Sequence, residues 1–78
     1  MKNFIEQNFI EQNIITNRFI RLQCVQERND ENIHVGEIVY GDITTLLIDK
    51  DGDSYMMMYD AFGICLGFKK LSRFRVVK

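Results

Sequence analysis

"TTLLIDKDGDSYMMMYD", residues 44–60, reads as two strands joined by a tight turn. Asp51-Gly52 is the strongest short-range hairpin signal in the chain, because both central positions of such a turn favour residues that tolerate a positive φ. "TTLLID" (44–49) and "SYMMMY" (54–59) flank it with the β-branched, aromatic and apolar residues that suit a pleated surface. In a strand Met57 points away from Met56 and Met58, so one face of the run is core and the other half-exposed. Core packing explains the three methionines more simply than an adaptable partner surface does. The stretch also mimics a calcium loop, with Asp49, Asp51 and Asp53 at positions one, three and five and Asp60 at twelve. Yet Ser54 stands at position six, where the sharp turn wants glycine, and Asp60 is shorter than the bidentate glutamate expected at twelve. The flanks read as strands, whereas a calcium loop needs two helices. The expectation is an acidic hairpin without a metal.

The same texture extends both ways. In "FIRLQCVQ" (19–26) Ile20, Leu22 and Cys24 face one side and Arg21 and Gln23 the other, the alternation of a half-buried strand. "ERNDEN" (27–32) is a polar connection. "IHVGEIVYGDI" (33–43) reads as a strand, with Gly36 and Gly41 marking a bulge or bend on either side. "DAFG" (60–63) is a second turn and "ICLGF" (64–68) a further strand, with Gly63 and Gly67 as turn and bulge glycines. "KKLS" (69–72) reads as one helical turn, and "RFRVV" (73–77) closes the pattern with Phe74 and Val76 inward. There is no proline, so Gly, Asn and Asp supply the turns. Five or six short strands at regular spacing predict a mainly β domain, a small barrel, over residues 19–78.

Four segments of this body resemble a family of very small Src-homology-3-like barrels from phage and mobile elements. They are Arg21 to Val25, Ile33 to Tyr40, Asp60 to Gly63 and Arg73 to Val77. The resemblance covers residues 19–78 and implies a barrel fold and an interaction role, with no catalytic residues. Glu37 stands where the pattern has Lys and Arg75 where it has Glu, so the surface charge departs from the family's.

Residues 1–18 form a separate arm and linker. "NFIEQNFIEQN" (3–13) repeats five residues in tandem. Asn3 with Glu6 makes a capping-box pattern, Glu and Gln favour helix, and Asn13 can end it. On that helix Ile5 and Phe9 share a seam, with Phe4 and Ile10 about 100° to either side. A five-residue period fits neither helix nor strand, so the duplication itself looks like slippage in the gene. Phe4, Ile5, Phe9 and Ile10 still make an apolar face broad enough to meet another protein or a second copy of the chain, most simply in a two-fold dimer.

Seventy-eight residues make one small domain, and an apolar fraction of 46% argues against disorder. No apolar run reaches membrane-spanning length, and no secretory signal is evident, so the expectation is a soluble cytoplasmic protein without membrane contact. Cys24 and Cys65 read as two buried free thiols; a disulfide would require neighbouring strands. His34 has neither a nucleophile motif nor a second histidine beside it, and the carboxylates show no acid–base spacing. No enzyme and no cofactor are expected.

Charge is uneven. Residues 29–60 carry eight acids against one base, and residues 61–78 carry five bases and no acid. Either the two regions pair in space or they leave a field that steers a partner. The basic tail "FKKLSRFRVVK" interleaves cations with aromatics, the combination used to track and stack single-stranded nucleic acid. Lys69, Lys70, Arg73, Arg75 and Lys78 are the residues of that alternative, with Arg73 and Arg75 projecting together opposite Phe74. A pI near 5.7 weighs against it. The first expectation is therefore a non-enzymatic accessory factor that docks on another protein.

Overall fold

A computed structural model of the chain describes residues 18–28 and 32–77. The expected helix over the arm, with Phe4, Ile5, Phe9 and Ile10, lies outside the described residues. The two aspartate-led turns show how the sheet is made. Asp49 Oδ1 accepts the amides of Asp51 (2.9 Å) and Asp53 (3.0 Å), and the Gly52 amide donates to the Asp49 carbonyl at 3.1 Å. Asp60 Oδ1 accepts the amides of Phe62 (2.8 Å) and Ile64 (2.9 Å), and the Gly63 amide donates to the Asp60 carbonyl at 3.1 Å. Gly52 and Gly63 have φ of 85° and 87°, the left-handed region that a Cβ disfavours. One local device, Asp-x-x-Gly, thus closes both hairpins.

Five antiparallel strands result: β1 Phe19–Cys24, β2 Ile38–Ile48, β3 Ser54–Tyr59, β4 Cys65–Lys70 and β5 Phe74–Val76. A 3-10 turn, Leu71–Arg73, separates the last two. They form one sheet in the order β4-β3-β2-β1-β5. The fifth strand crosses back to pair with β1, Cys24 opposite Phe74 and Leu22 opposite Val76. Among the described residues no ladder joins β4 to β5, so the expected closed barrel is corrected to an open sheet. The chain leaves β4 through the 3-10 turn, and β5 is only three residues long. A radius of gyration of 12.2 Å is close to the ~11.5 Å of a compact domain of this length. Among the described residues no helix is long and apolar enough to cross a membrane.

The second strand corrects the sequence reading, which placed two strands over 33–43 and 44–49. Residues 33–37 are loop, and 38–48 run as one strand with an irregularity inside it. Asp42 pairs with Met57 and Leu47 with Tyr55, so five steps along β2 match two along β3, three residues in excess. Side chains hold this bulge together where ladder bonds are lost. Asp42 Oδ1 accepts the Thr44 amide at 3.0 Å. Thr45 Oγ1 donates to the Asp42 carbonyl at 2.6 Å and accepts the Met57 amide at 2.9 Å, standing in for a strand carbonyl.

One face of the sheet buries Leu22, Cys24, Val39, Met56, Met58 and Phe74, with Ile33 from the loop. The alternation read for 20–24 and 56–58 holds, and Met57 is half-buried on the other side. Gly41 lies in this core. A Cβ there would run into Met56 Sδ and come within 3.1 Å of Leu22 Cδ1, so the position needs glycine for close packing, where a bend had been expected. Val76, expected inward, is 56% exposed, because β5 is an edge strand with solvent on one flank. The opposite face buries Tyr40 and Asp42 at mid-sheet. Arg21 lies over the Tyr40 ring at 5.9 Å, and Phe19 meets Tyr59 edge-on at 5.9 Å.

Candidate functional site

The basic tail is brought together in part. Lys69 and Lys70 end β4, and Arg73 follows in the 3-10 turn. Arg73 is corrected from solvent-projecting to buried, at 3% exposure. Its Nε donates to the Gln26 carbonyl at 3.1 Å, and its own carbonyl accepts the Val25 amide at 2.7 Å. The strand begins only at Phe74, so the expected alternation starts one residue too early, and the turn carries Arg73 inward. Arg75 is exposed on β5, where Nε (3.0 Å) and Nη2 (2.6 Å) both donate to Gln23 Oε1. Lys78 lies outside the described residues.

Lys69, Lys70 and Arg73 line a shallow cleft of about 290 Å³ with Arg28, Tyr55 and Phe68. Tyr55 pairs with Lys70 and Met57 with Phe68, so Tyr55, Phe68 and Lys70 share one face, while Lys69, opposite the buried Met56, is on the other. The cleft therefore wraps around β4, the edge of the sheet. Lys69 Nζ donates to Asn32 Oδ1 at 3.4 Å. Lys70 Nζ is 3.2 Å from Asp53 Oδ2, a point where the acidic middle and basic tail meet. Lysines on an edge strand also discourage pairing with a second sheet. The tail's interleaving of aromatics and cations was the sequence signal for Phe68 with the lysines. Arg28 and Tyr55 carried no such signal, since they reach the cleft only through the fold.

Next to the cleft is an apolar tip. Leu46, Leu47 and Ile48 are exposed in succession at the end of β2. Leu47 pairs with Tyr55, which lines the cleft, so the tip and the cleft adjoin. Phe62 and Ile64 are exposed on the turn at the other end of β3.

The other candidates fall apart spatially. Cys24 is buried with Sγ 3.4 Å from the Gln26 carbonyl, whereas Cys65 is exposed, 3.2 Å from Met57 Sδ. The expectation of two buried thiols thus holds for Cys24 only. β2 and β3 separate their strands, and both thiols are free. His34 Nδ1 lies 3.2 Å from Glu27 Oε1 in an exposed loop. Among the described residues no group of three or more His, Cys, Asp or Glu is placed to hold a metal ion.

Asp42 and Arg18 are the polar pair that the sequence reading missed. Burial pushes the Asp42 carboxyl up, but bonds from Arg18 and from the Thr44 hydroxyl and amide outweigh it and hold the group below the usual carboxylate value. The Asp42 bond in turn raises the Arg18 guanidinium. The pair anchors the start of β1 to the β2 bulge.

Compared with known proteins, the chain matches no family model, no curated protein and no solved structure.

Proposed function

We propose that this chain is a non-enzymatic binding protein that docks on and modulates another protein, built on a Src-homology-3-like barrel in an open form. The observation that carries it is the run Leu46-Leu47-Ile48, exposed in succession. A strand that alternates core and solvent leaves one face polar, but here both faces of the strand end are apolar. Fully burying one such side chain is worth roughly 1.5–3 kcal/mol, and with about half of each already covered the three together can add a few kcal/mol to an interface. The strand order β4-β3-β2-β1-β5, with a 3-10 turn leading to a returning strand, supports the Src-homology-3-like reading in its open form. The four resembling segments support a phage or mobile-element accessory factor acting in the cytoplasm. The arm residues Phe4, Ile5, Phe9 and Ile10 belong to the same reading as a second apolar element, for the partner or for a second copy.

The test is affinity capture from the native host, with and without nuclease, of the tagged wild type and the double variant Leu47→Asp, Ile48→Asp. The side chains are exposed, so the variant keeps its circular dichroism spectrum. A nuclease-resistant protein is expected with the wild type and not with the variant. Equal capture by both, or recovery of nucleic acid alone, overturns the reading. Light scattering on the wild type and on a chain lacking residues 1–13 separates self-association from a foreign partner.

A further inference from the structure

We propose that the cleft at the β4 edge binds single-stranded nucleic acid, with Phe68 as the stacking surface and Arg28, Lys69 and Lys70 as the phosphate contacts. The inference rests on a different surface from the apolar tip and stands independently of it.

Three stretches of chain converge there. Arg28 comes from the β1–β2 connection, Lys69 and Lys70 from the end of β4, and Arg73 from the 3-10 turn. The chain's net charge is −1, so four cations lining one cleft are a local concentration and not a reflection of the average. A cleft lined by several cations focuses their field and raises the local concentration of an anionic ligand. Arg73 is held from below by the Gln26 carbonyl and is a positioning residue at the floor. Arg28 is exposed at the rim, and the two lysines are half-exposed. Lys70 meets Asp53, but an ammonium has three donors and one carboxylate does not exhaust them.

The aromatics decide the kind of anion. Phe68 is 45% exposed beside Lys69 and Lys70, and Tyr55 is half-buried on the same face. A free phosphate or an acidic peptide would satisfy the lysines and leave the ring wet. A duplex presents phosphates but keeps its base faces stacked. A single strand offers both a phosphate and an open base face, and base–aromatic stacking tolerates any sequence. At about 290 Å³ the cleft falls at the lower end of small-ligand pockets, which start near ~300 Å³. It is too shallow to enclose a free ligand, but it can seat one unit of a chain that runs on across the surface.

The experiment is fluorescence anisotropy of a labelled twelve-residue oligothymidylate with the full chain at low salt, with the same oligomer in duplex form and heparin as competitors. The single strand is expected to bind, with an affinity that falls linearly on a log–log salt plot. Phe68→Ala should weaken it by roughly 5- to 150-fold, the range for one lost stack. Arg28→Gln, in a loop and harmless to the sheet, should reduce the salt slope by about one phosphate contact. Asp53→Asn should strengthen binding by releasing Lys70, an outcome that misfolding cannot imitate. No binding at low salt overturns the proposal. So does heparin or duplex competing as well as the single strand, with Phe68→Ala unchanged, since the cleft would then be a general polyanion surface. A Leu47→Ser, Ile48→Ser variant, which removes the apolar tip without adding charge beside the cleft, should bind the oligomer as the wild type does. Failure of the protein-docking reading therefore leaves this result intact, and the reverse.

Discussion

Arg18 grips a single oxygen of Asp42, Oδ2, through Nε at 3.2 Å and Nη2 at 3.0 Å, while Oδ1 serves the Thr44 amide and hydroxyl at 3.0 and 2.6 Å. The two partners are unequal: the Asp42 side chain is buried and that of Arg18 is half-exposed. Removing either one therefore has different consequences. Asp42→Ala removes a buried carboxylate together with its four hydrogen bonds, two from Arg18 and two from Thr44, and should cost about 1–3 kcal/mol. Arg18→Ala lets water reach Oδ2, and the loss should stay below about 1 kcal/mol. Urea denaturation of both variants measures the difference, and a larger loss for Arg18→Ala would contradict this account.

The same carboxyl makes stability depend on acid. Its folded value lies below the unfolded one, which is near ~3.9, so the unfolded chain takes up the proton first. The contribution is complete above that unfolded value and is lost as pH falls through the folded value. The stability gap between wild type and Asp42→Asn should shrink steadily from pH 5 to pH 2. A gap that stays constant over that range would show that the carboxyl is not held in its charged form.

Two glycines should fail for different reasons. Gly41→Ala places a methyl against Met56 and Leu22 in the core, an overpacking that typically costs about 1–3 kcal/mol. Gly52→Ala meets nothing within 4 Å, but at a φ of 85° it should lose roughly 1–2 kcal/mol through backbone strain. Asn tolerates that conformation, so Gly52→Asn should recover part of the loss, while Gly41→Asn should be worse than Gly41→Ala. Thermal midpoints of the four variants check the pattern.

Only one of the two thiols should be accessible to a reagent in the native protein. Cys65 is exposed and Cys24 is buried under the sheet. A chromogenic disulfide reagent should label one thiol per chain quickly and the second only when denaturant is added. Fast labelling of two in the native protein would place Cys24 at the surface.

What the sequence makes legible here is what lies within about five residues. Asp49 with Gly52 and Asp60 with Gly63 close their turns from their own neighbours, so both hairpins can be read directly. The alternation of Leu22 with Cys24 and of Met56 with Met58 needs only the period of a strand. The rest depends on distant partners. β2 runs unbroken through residues 38–48 because Thr45 takes an amide from Met57, twelve positions on. Gly41 reads as a bend until Met56 and Leu22 are placed beside it. Arg73 turns inward because a 3-10 turn shifts the alternation, and Arg28 joins the lysines only once the sheet is assembled. The tail's composition pointed to a basic, aromatic surface, but the membership of that surface is a property of the fold.

The returning fifth strand imposes an order of assembly. Ile48 and Ser54 meet after six residues of chain, whereas Cys24 and Phe74 meet after fifty. Closing the longer loop first would cost roughly 2 kcal/mol more in chain entropy, taking that cost to grow with the logarithm of loop length. The two Asp-x-x-Gly hairpins should therefore form early, and β5 should dock last onto a β1 already in place. Phe74→Ala would then speed unfolding and leave the refolding rate nearly unchanged, whereas Met58→Ala would slow refolding. Stopped-flow rates for both variants decide it, and a refolding rate cut by Phe74→Ala would mean that β5 is part of the nucleus. In this order the β1 edge stays unsatisfied until the final step, so the nearly folded chain is at that moment most open to pairing with the wrong strand.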